Sequence, residues 1–311
     1  MARLLGTQKQ HMGPLGRMGH AMAFDAVRRR TVLFGGETLG SGLLNDTWEW
    51  DGELWTQMAN SGPPVRCDHT MVYDATRRQA VMFGGVNGIG ELFGDTWGWS
   101  GADWMQLSDS GPPKRSNHGA AYDSARQRLV IFGGTSDGPT RRSDTWEWDG
   151  LEWTQVAVTG PTPRKGLAMA FDSRRKKTVL FGGIGADGTA LGDTWEWDGV
   201  DWTRSADFGA SACGDAAMVF SGQRSALFGG IDSINAVPPP HLFGTTWDWD
   251  GKHWVLRQDM GPAPRWRHAM AFDKQRRAIV LFGGFGMFGA PKPDDRALGD
   301  TWEAEEKRVD A

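Results

Sequence analysis

The triplet Phe-Gly-Gly occurs six times in the 311-residue chain, and this repetition limits the possible folds more than any other feature. The copies begin at Phe34, Phe83, Phe132, Phe181, Phe228 and Phe282, at intervals of 49, 49, 49, 47 and 54 residues. A Thr-Trp pair follows each triplet, with its indole at Trp48, Trp97, Trp146, Trp195, Trp247 and Trp302. Self-similarity at a period of roughly 20–50 residues is typical of solenoids and propellers, whose repeats are single supersecondary units.

Each repeat predicts four short strands. In the first copy they read "HAMAF", "TVLFGG", "DTWEW" and "LWTQM". The first of them alternates His20, Met22 and Phe24 with alanine, which is the period of a strand. The basic turn "DAVRRR" and an Asp-Gly turn separate neighbouring strands, as expected for antiparallel hairpins.

The sixth repeat lacks its fourth strand, and a matching segment stands at the other end of the chain. "LLGTQ" at residues 4–8 lies 49 residues before "ELWTQ" at 53–57, with Gly6 in place of Trp55. We therefore expect the amino-terminal strand to complete the last sheet, which closes a ring and removes exposed strand edges. The predicted fold is an all-β, six-bladed propeller with four-stranded blades. It forms one domain over residues 1–303, followed by a tail at 304–311.

These markers, together with a Pro-x-Arg-x-x-His pattern before the first strands, resemble those of the kelch family over residues 4–303. The resemblance implies a six-bladed kelch propeller that serves either as an interaction module or as an enzyme. It also implies that the loops entering the first strands form the ligand-binding mouth, with arginines from the Pro-x-Arg position.

Charge and hydropathy limit the classes of partner that the chain is expected to bind. The formal net charge is -4, and the basic turns are interleaved with aspartates, so an ion-pair network is expected there and nucleic acid is not. The sequence has no apolar run of membrane-spanning length and no signal-peptide core, which predicts no membrane association. With only 2 cysteines, the chain is predicted to be cytoplasmic.

The family pattern selects candidate ligand-binding residues around the mouth. Trp266 lies in an entering loop, and Phe285 follows the last Phe-Gly-Gly. A ring of charge would attract an anionic guest, whereas the structural alternative is that each arginine bonds loop carbonyls of a neighbouring blade. The arginines are Arg17, Arg66, Arg115, Arg164 and Arg265.

Four histidines three residues after those arginines form a second set: His20, His69, His118 and His268. They are either wedges between sheets or ligands of a transition metal (iron, copper or zinc) at the axis. Glu37 is then a metal ligand or a catalytic general base, or else the ion-pair partner of Arg17 or Arg66.

Two functions stay open on this reasoning. The first is binding of a mostly apolar small molecule with an anionic or polar group at the axial mouth, extended to a metal-dependent enzyme if the histidines hold a metal. The alternative is a non-catalytic protein- or peptide-binding module that uses the arginine-rich mouth. A tyrosyl-radical copper oxidase is not expected, because Tyr73 and Tyr122 stand where other copies have Phe24 and Phe171. Cys213 replaces an arginine in the fifth copy, where neighbouring arginines are expected to lower its pKa.

Overall fold

The computed structural model contains six antiparallel sheets of four strands each. It describes residues 7–9, 13–40, 42–138, 140–233, 240–257, 261–286 and 296–306. Each sheet is one blade, and blades one to six follow the chain. In blades one to five the strands run in sequence order from the axis to the rim.

Strand bounds repeat closely between blades. Blades one to three consist of Ala21–Asp25, Arg30–Thr38, Gly42–Trp50 and Trp55–Ala59; Thr70–Asp74, Gln79–Phe83, Thr96–Trp99 and Trp104–Ser108; and Gly119–Asp123, Arg128–Phe132, Thr145–Trp148 and Trp153–Ala157. Blades four to six consist of Ala168–Asp172, Lys177–Phe181, Thr194–Trp197 and Trp202–Ala206; Ala217–Phe220, Ser225–Phe228, Thr246–Trp249 and Trp254–Arg257; and Ala269–Asp273, Ala278–Phe282, Thr301–Glu305 and Thr7–Lys9. Short two-stranded ribbons add Thr135–Ser136 with Thr140–Arg141, Arg164–Lys165 with Ile184–Gly185, and Phe285–Gly286 with Arg296–Ala297.

The amino-terminal strand completes blade six, as the sequence predicts. Thr7 pairs with Glu303 and Lys9 with Thr301 in an antiparallel register. The first strands of neighbouring blades contact one another around the axis, including those of blades six and one. They surround a central channel of about 590 Å³ that reaches the first hairpins and includes Tyr73 and Tyr122 in its wall.

Tryptophans fill the seams between blades. Trp50 in the third strand of blade one donates its indole N–H to Glu303 of blade six at 2.8 Å, and Trp55 in the fourth strand donates to Thr301 at 2.8 Å. Trp55 also meets Phe282 edge-on, with the ring centroids 5.3 Å apart. The same contacts recur in later seams, so the repeated tryptophans pack between blades.

The first hairpins carry the predicted ion-pair network. Asp25 accepts hydrogen bonds from two amides of its own turn and pairs with Arg28 at 2.7 Å. Arg28 also pairs with Glu49 at 2.6 Å, and Glu49 accepts the indole N–H of Trp99 in the next blade. In blade two, Gly98 replaces this glutamate, and the buried indole nitrogen of Trp148 has no hydrogen-bond partner in the described chain.

Two boundaries differ from those expected. In blade one, the second strand continues to Thr38 and the third strand begins at Gly42. This extension arises because Glu37 and Leu43 continue the strand pairing beyond a bulge. The last strand reaches Glu305, and buried Glu306 pairs with Arg257 at 2.9 Å, so the propeller continues past residue 303. The described residues contain no helix long and apolar enough to cross a membrane.

Candidate functional site: the axial mouth

A closed ring of backbone hydrogen bonds encircles the axis on the face where the first strands begin. Each blade contributes one residue with a left-handed backbone, and its amide donates to the carbonyl of the equivalent residue in the preceding blade. The six residues, here called the axial ring, are Gly19, Asp68, Asn117, Gly166, Asp215 and Arg267, with φ between 53° and 63°. The six N···O distances run from 2.6 to 3.0 Å. Because every ring amide already donates to a neighbouring carbonyl, the ring offers a guest no free backbone N–H.

The polar side chains of the axial ring differ in how many partners they have. Arg267 donates to Asp68 at 2.7 Å and lies 3.6 Å from Glu37. Asn117 donates its side-chain N–H to the other oxygen of Asp68 at 3.3 Å. A left-handed conformation is uncommon for arginine, and such strain occurs preferentially at functional sites.

Asp215 carries the carboxylate of the ring that lacks a partner. Among the described residues it forms no side-chain hydrogen bond or ion pair, although the positive charges of Arg267 and Lys165 act on it and lower its pKa in part. Its oxygen lies against Gly166, which leaves no room for a Cβ there. Burial, and then the negative charge of Asp68, raises the pKa of Asp215 to about 6, so it is ionised at neutral pH at a cost in free energy.

The five arginines of the Pro-x-Arg position do not face the opening, which corrects the expectation of an arginine-rich mouth. Arg17 is 0% exposed and forms a bidentate pair with Asp46 at 2.6 and 2.9 Å. It also donates to the carbonyls of Leu15 and Gly35, and Asp46 accepts the indole N–H of Trp48. Burial opposes ionisation of Asp46, but the guanidinium outweighs it and keeps the pKa of Asp46 below its ordinary value. The equivalent triads are Arg66–Asp95–Trp97, Arg115–Asp144–Trp146, Arg164–Asp193–Trp195 and Arg265–Asp300–Trp302.

Blade five has replaced both ionic members of this triad. Cys213 stands at the arginine position and Thr245 at the aspartate position, and the buried indole nitrogen of Trp247 has no hydrogen-bond partner among the described residues. Burial raises the pKa of Cys213 to about 12, and that of Cys67 also to about 12. The expectation of a lowered pKa at Cys213 was therefore wrong, because burial and the negative charge of Asp215 both raise it.

The four histidines are wedges between blades. Each imidazole meets, edge to face, the phenylalanine of the preceding blade, with ring centroids 5.4–5.5 Å apart. His118 bonds Thr70 at 2.7 Å, whereas the ring nitrogens of His20, His69 and His268 make no hydrogen bond of normal geometry in the described chain. Burial lowers the pKa of all four, to about 3 for His69 and for His268, so the rings are neutral at physiological pH.

Comparison with known proteins agrees with this architecture. The family model of the KLHDC2/KLHL20/DRC7 Kelch-repeats domain matches residues 95–284. The chain belongs to the kelch-repeat family. The solved structure of YjhT is similar to this kelch propeller, with a TM-score of 0.76 and 13% identity, covering 96% of this chain and 97% of that chain. At this identity the similarity shows the fold alone. Curated proteins include no match to the chain.

The assignment of the histidine arc of this kelch protein to a metal ion stays a prediction. Within the described residues, no group of three or more histidine, cysteine, aspartate or glutamate side chains is arranged to hold one. Glu37 is half-exposed and lies beside Arg267, not beside Arg17 or Arg66. Its assignment as a general base stays a prediction.

The rim of the kelch mouth carries the two predicted aromatic residues. Trp266 and Phe285 are partly exposed, pair through their backbones, and have ring centroids 6.1 Å apart. Arg267 lies 5.9 Å from the Trp266 ring, which connects the rim to the axial ring. Residues 234–239 and 287–295, in the long loops between the second and third strands of blades five and six, lie outside the described residues.

Sequence reasoning missed the axial ring itself. The signal was present, because the residue before each histidine position reads Gly, Asp, Asn, Gly, Asp and Arg in successive copies. Glycine, asparagine and aspartate are the residues that best tolerate a left-handed backbone. Variation between copies at such a position indicates that the backbone conformation is fixed, whereas the side chain is free to differ.

Proposed function

We propose that the protein is a binding module whose axial mouth receives the protonated amine of a small, otherwise largely apolar molecule. The kelch family and fold support a binding module in general. The observation that carries the specific proposal is the unpartnered carboxylate of Asp215 inside the axial ring.

Charge favours a cationic group over an anionic one. The five repeated arginines are buried in bidentate pairs, so they offer nothing to an anion. Arg267 is already paired with Asp68 and lies close to Glu37. A protonated amine beside Asp215 gains a charge-assisted hydrogen bond and adds to the favourable charge of Arg267 and Lys165, which still leaves the pKa of Asp215 raised.

The volume of the mouth cavity indicates that the polar and apolar parts of the guest bind at different places. The mouth cavity has a volume of about 160 Å³ and is lined by the axial ring and the histidines. Ordinary ligand pockets measure roughly 300–1,000 Å³, so this cavity accommodates a head group only. The apolar remainder then contacts the rim formed by Trp266 and Phe285, where aromatic surface favours it.

The alternative of a peptide-binding module depended on an arginine-rich mouth, and burial of those arginines removes its basis. The enzyme alternative depended on the histidine arc, whose imidazoles pack against the phenylalanines of four separate seams. Both remain outcomes that the binding experiment can return.

Calorimetric titration with 2-phenylethylamine, 2-phenylethanol and phenylacetate tests the proposal, because these probes share a ring and differ in the polar group. We expect the amine to bind at least about 10-fold more tightly than the alcohol and the anion, a difference of about 1.4 kcal/mol. Asp215→Asn should remove this preference. Asp187→Asn should keep it, because that exposed carboxylate bonds only its own loop.

The pH dependence supplies a second measurement. Affinity for the amine should fall as pH is lowered through about 6, where Asp215 gains its proton. Tighter binding of phenylacetate, or an Asp215→Asn variant that still prefers the amine, would contradict the proposal. Circular dichroism of both variants checks that the propeller is intact.

A further inference from the structure

The central channel has a second end, on the face of the first hairpins and away from the axial mouth. Its volume of about 590 Å³ lies within the roughly 300–1,000 Å³ of ordinary ligand pockets. Among the described residues, none lines both this channel and the mouth cavity. The channel is therefore a separate space, and it is large enough for a whole small molecule.

The side chains of the first strands give the channel an apolar wall. Five blades contribute a methionine at one level, where blade three has Ala120, and all six blades contribute an aromatic ring two residues further along the strand. The methionines are Met22, Met71, Met169, Met218 and Met270, and the aromatic residues are Phe24, Tyr73, Tyr122, Phe171, Phe220 and Phe272. Thioethers adapt to varied apolar shapes, so this wall suits an aliphatic guest.

Backbone polar groups also face the channel. In the described chain each first strand pairs with one neighbour, the second strand of its own blade, so its inner edge presents N–H and C=O groups to the axis. A bulky guest would separate these groups from water without replacing their hydrogen bonds, which costs free energy. A slim chain that shares the channel with water avoids this cost.

Two cations stand where the channel opens. Lys274 and Arg277, both in the first hairpin of blade six, are the charged side chains of the described wall. Neither forms an ion pair with another described residue. Arg277 donates from Nε to the carbonyl of Glu306 at 3.2 Å, and its buried Nη2 has no hydrogen-bond partner in the described chain.

The neighbouring hairpin of blade five leaves these cations unopposed. It encloses four residues, 221–224, where the hairpin of blade one encloses six, 25–30. Ser221 stands at the position of Asp25, so the blade-five hairpin has no carboxylate. In blade six itself, Asp273 is already paired with Arg276 at 2.7 Å. The opening is therefore locally positive on the side of blades five and six.

We infer that this end of the channel is a second binding site, for a slim aliphatic chain with a terminal carboxylate. The chain contacts the methionines and aromatic rings, and the carboxylate accepts charge-assisted hydrogen bonds from Lys274 and from Nη2 of Arg277. Met270 and Lys274 are four residues apart, which is about 13 Å of strand and comparable to an extended decanoate chain. The site does not depend on the function proposed for the mouth, which takes a group of opposite charge.

Calorimetric titration with hexanoate, octanoate and decanoate tests the inference, with octan-1-ol as the uncharged counterpart of octanoate. Each added methylene should tighten binding about 3- to 4-fold, and decanoate should reach a Kd of about 0.1–1 mM. Octanoate should bind at least about 5-fold more tightly than octan-1-ol, because only the carboxylate pairs with the two cations. Affinity that does not rise with chain length, or an alcohol that binds as tightly as the acid, would overturn the inference.

A variant of the two cations tests the head-group contacts. Lys274→Ser/Arg277→Gln gives blade six the residues of blade three and should remove the preference for octanoate over octan-1-ol. Arg29→Gln/Arg78→Gln is the matched control, because it removes as much charge from exposed residues of equivalent turns outside the channel wall. A preference that survives the first variant, or that the control also loses, rules the site out. Lys274 is exposed, so Lys274→Ser alone keeps the test if the double variant does not fold.

NMR of the protein labelled with ¹³C at the methionine methyl groups locates the chain. Octanoate should shift the resonances of the five channel methionines and leave those of Met58 and Met105, on exposed fourth strands, in place. The reverse pattern would place octanoate outside the channel and refute the site. Phenylacetate that shifts the channel methionines binds in the channel, so it does not count against the proposed function of the mouth.

Discussion

The buried Arg66–Asp95 pair gives the sharpest test of how the blades are held together. Asp95→Thr gives blade two the residue that blade five has naturally at Thr245. It removes two charge-assisted hydrogen bonds, of 2.7 and 2.8 Å, from a guanidinium that is 0% exposed. Arg66 would then retain only the carbonyls of Pro64 and Gly84 and the ring of Phe93.

The expected loss follows from these contacts. Leaving one partner of a buried ion pair uncompensated costs about 3–5 kcal/mol. Trp97 also loses its acceptor at 2.7 Å, which adds about 1 kcal/mol, while the Phe93 ring offsets a similar amount. We expect Asp95→Thr to lower the free energy of unfolding by about 4 kcal/mol.

The double variant Arg66→Cys/Asp95→Thr reproduces the blade-five combination and removes the buried charge. Its cost is that of lost packing, about 2–3 kcal/mol, so the double variant should be more stable than Asp95→Thr. Relative to the two single variants, the coupling energy should be at least about 2 kcal/mol.

Urea unfolding followed by tryptophan fluorescence and circular dichroism measures all three variants. Thr245→Val is the matched control, because Cys213 stands at the arginine position of blade five. It should change stability by less than about 0.5 kcal/mol. The reasoning fails if Asp95→Thr is no more costly than Thr245→Val, or if the two single effects simply add in the double variant.

Three further predictions follow from other features of the blades. Gly98→Glu should supply the missing acceptor for Trp148 and be about 1 kcal/mol more stable than Gly98→Ala in urea unfolding; equal stability would contradict this. Asp215→Asn should be more stable than the unmodified protein by about 1–2 kcal/mol near pH 7.5 and by less near pH 5, because the raised pKa of Asp215 makes folding less favourable as pH rises. A destabilised variant would show instead that the carboxylate holds the ring together. His69→Leu, which copies Leu167 of blade four, should flatten the fall in stability below about pH 6.5 by about 1.4 kcal/mol per pH unit, because the folded pKa of His69 is about 3 and the unfolded chain takes up the proton first. An unchanged slope would show that another group controls acid unfolding.

The sequence predicts the architecture because the repeats carry the same strand and turn signals. Period-two strands, Asp-Gly turns and the displaced strand at the amino end define six sheets and their closure. Boundaries were less accurate where one copy deviates. The ladder between Glu37 and Leu43 depends on a bulge, and Glu306 is held by a salt bridge from another blade. Neither effect leaves a local pattern in the sequence.

The candidate site was predicted less well, for a physical reason. An arginine near a loop is equally suited to bind a guest or to hold the loop in place. Only the group that the guanidinium contacts in the structure distinguishes these two roles. For Arg17 that partner is Asp46, 29 residues away, in a motif that the sequence also repeats. The joint loss of both residues in blade five, at Cys213 and Thr245, was the available evidence for pairing. Residue-by-residue reasoning does not compare two positions across copies.

The axial ring separates the shape of the opening from its chemistry. Six amides fix where the six α-carbons stand, whichever side chains they carry, provided each tolerates a left-handed backbone. Exchanges among glycine, asparagine and aspartate at these positions therefore change the charge and the hydrogen-bonding groups at the opening, while the six α-carbons keep their places. One propeller scaffold can in this way present openings of different charge that differ at only six residues.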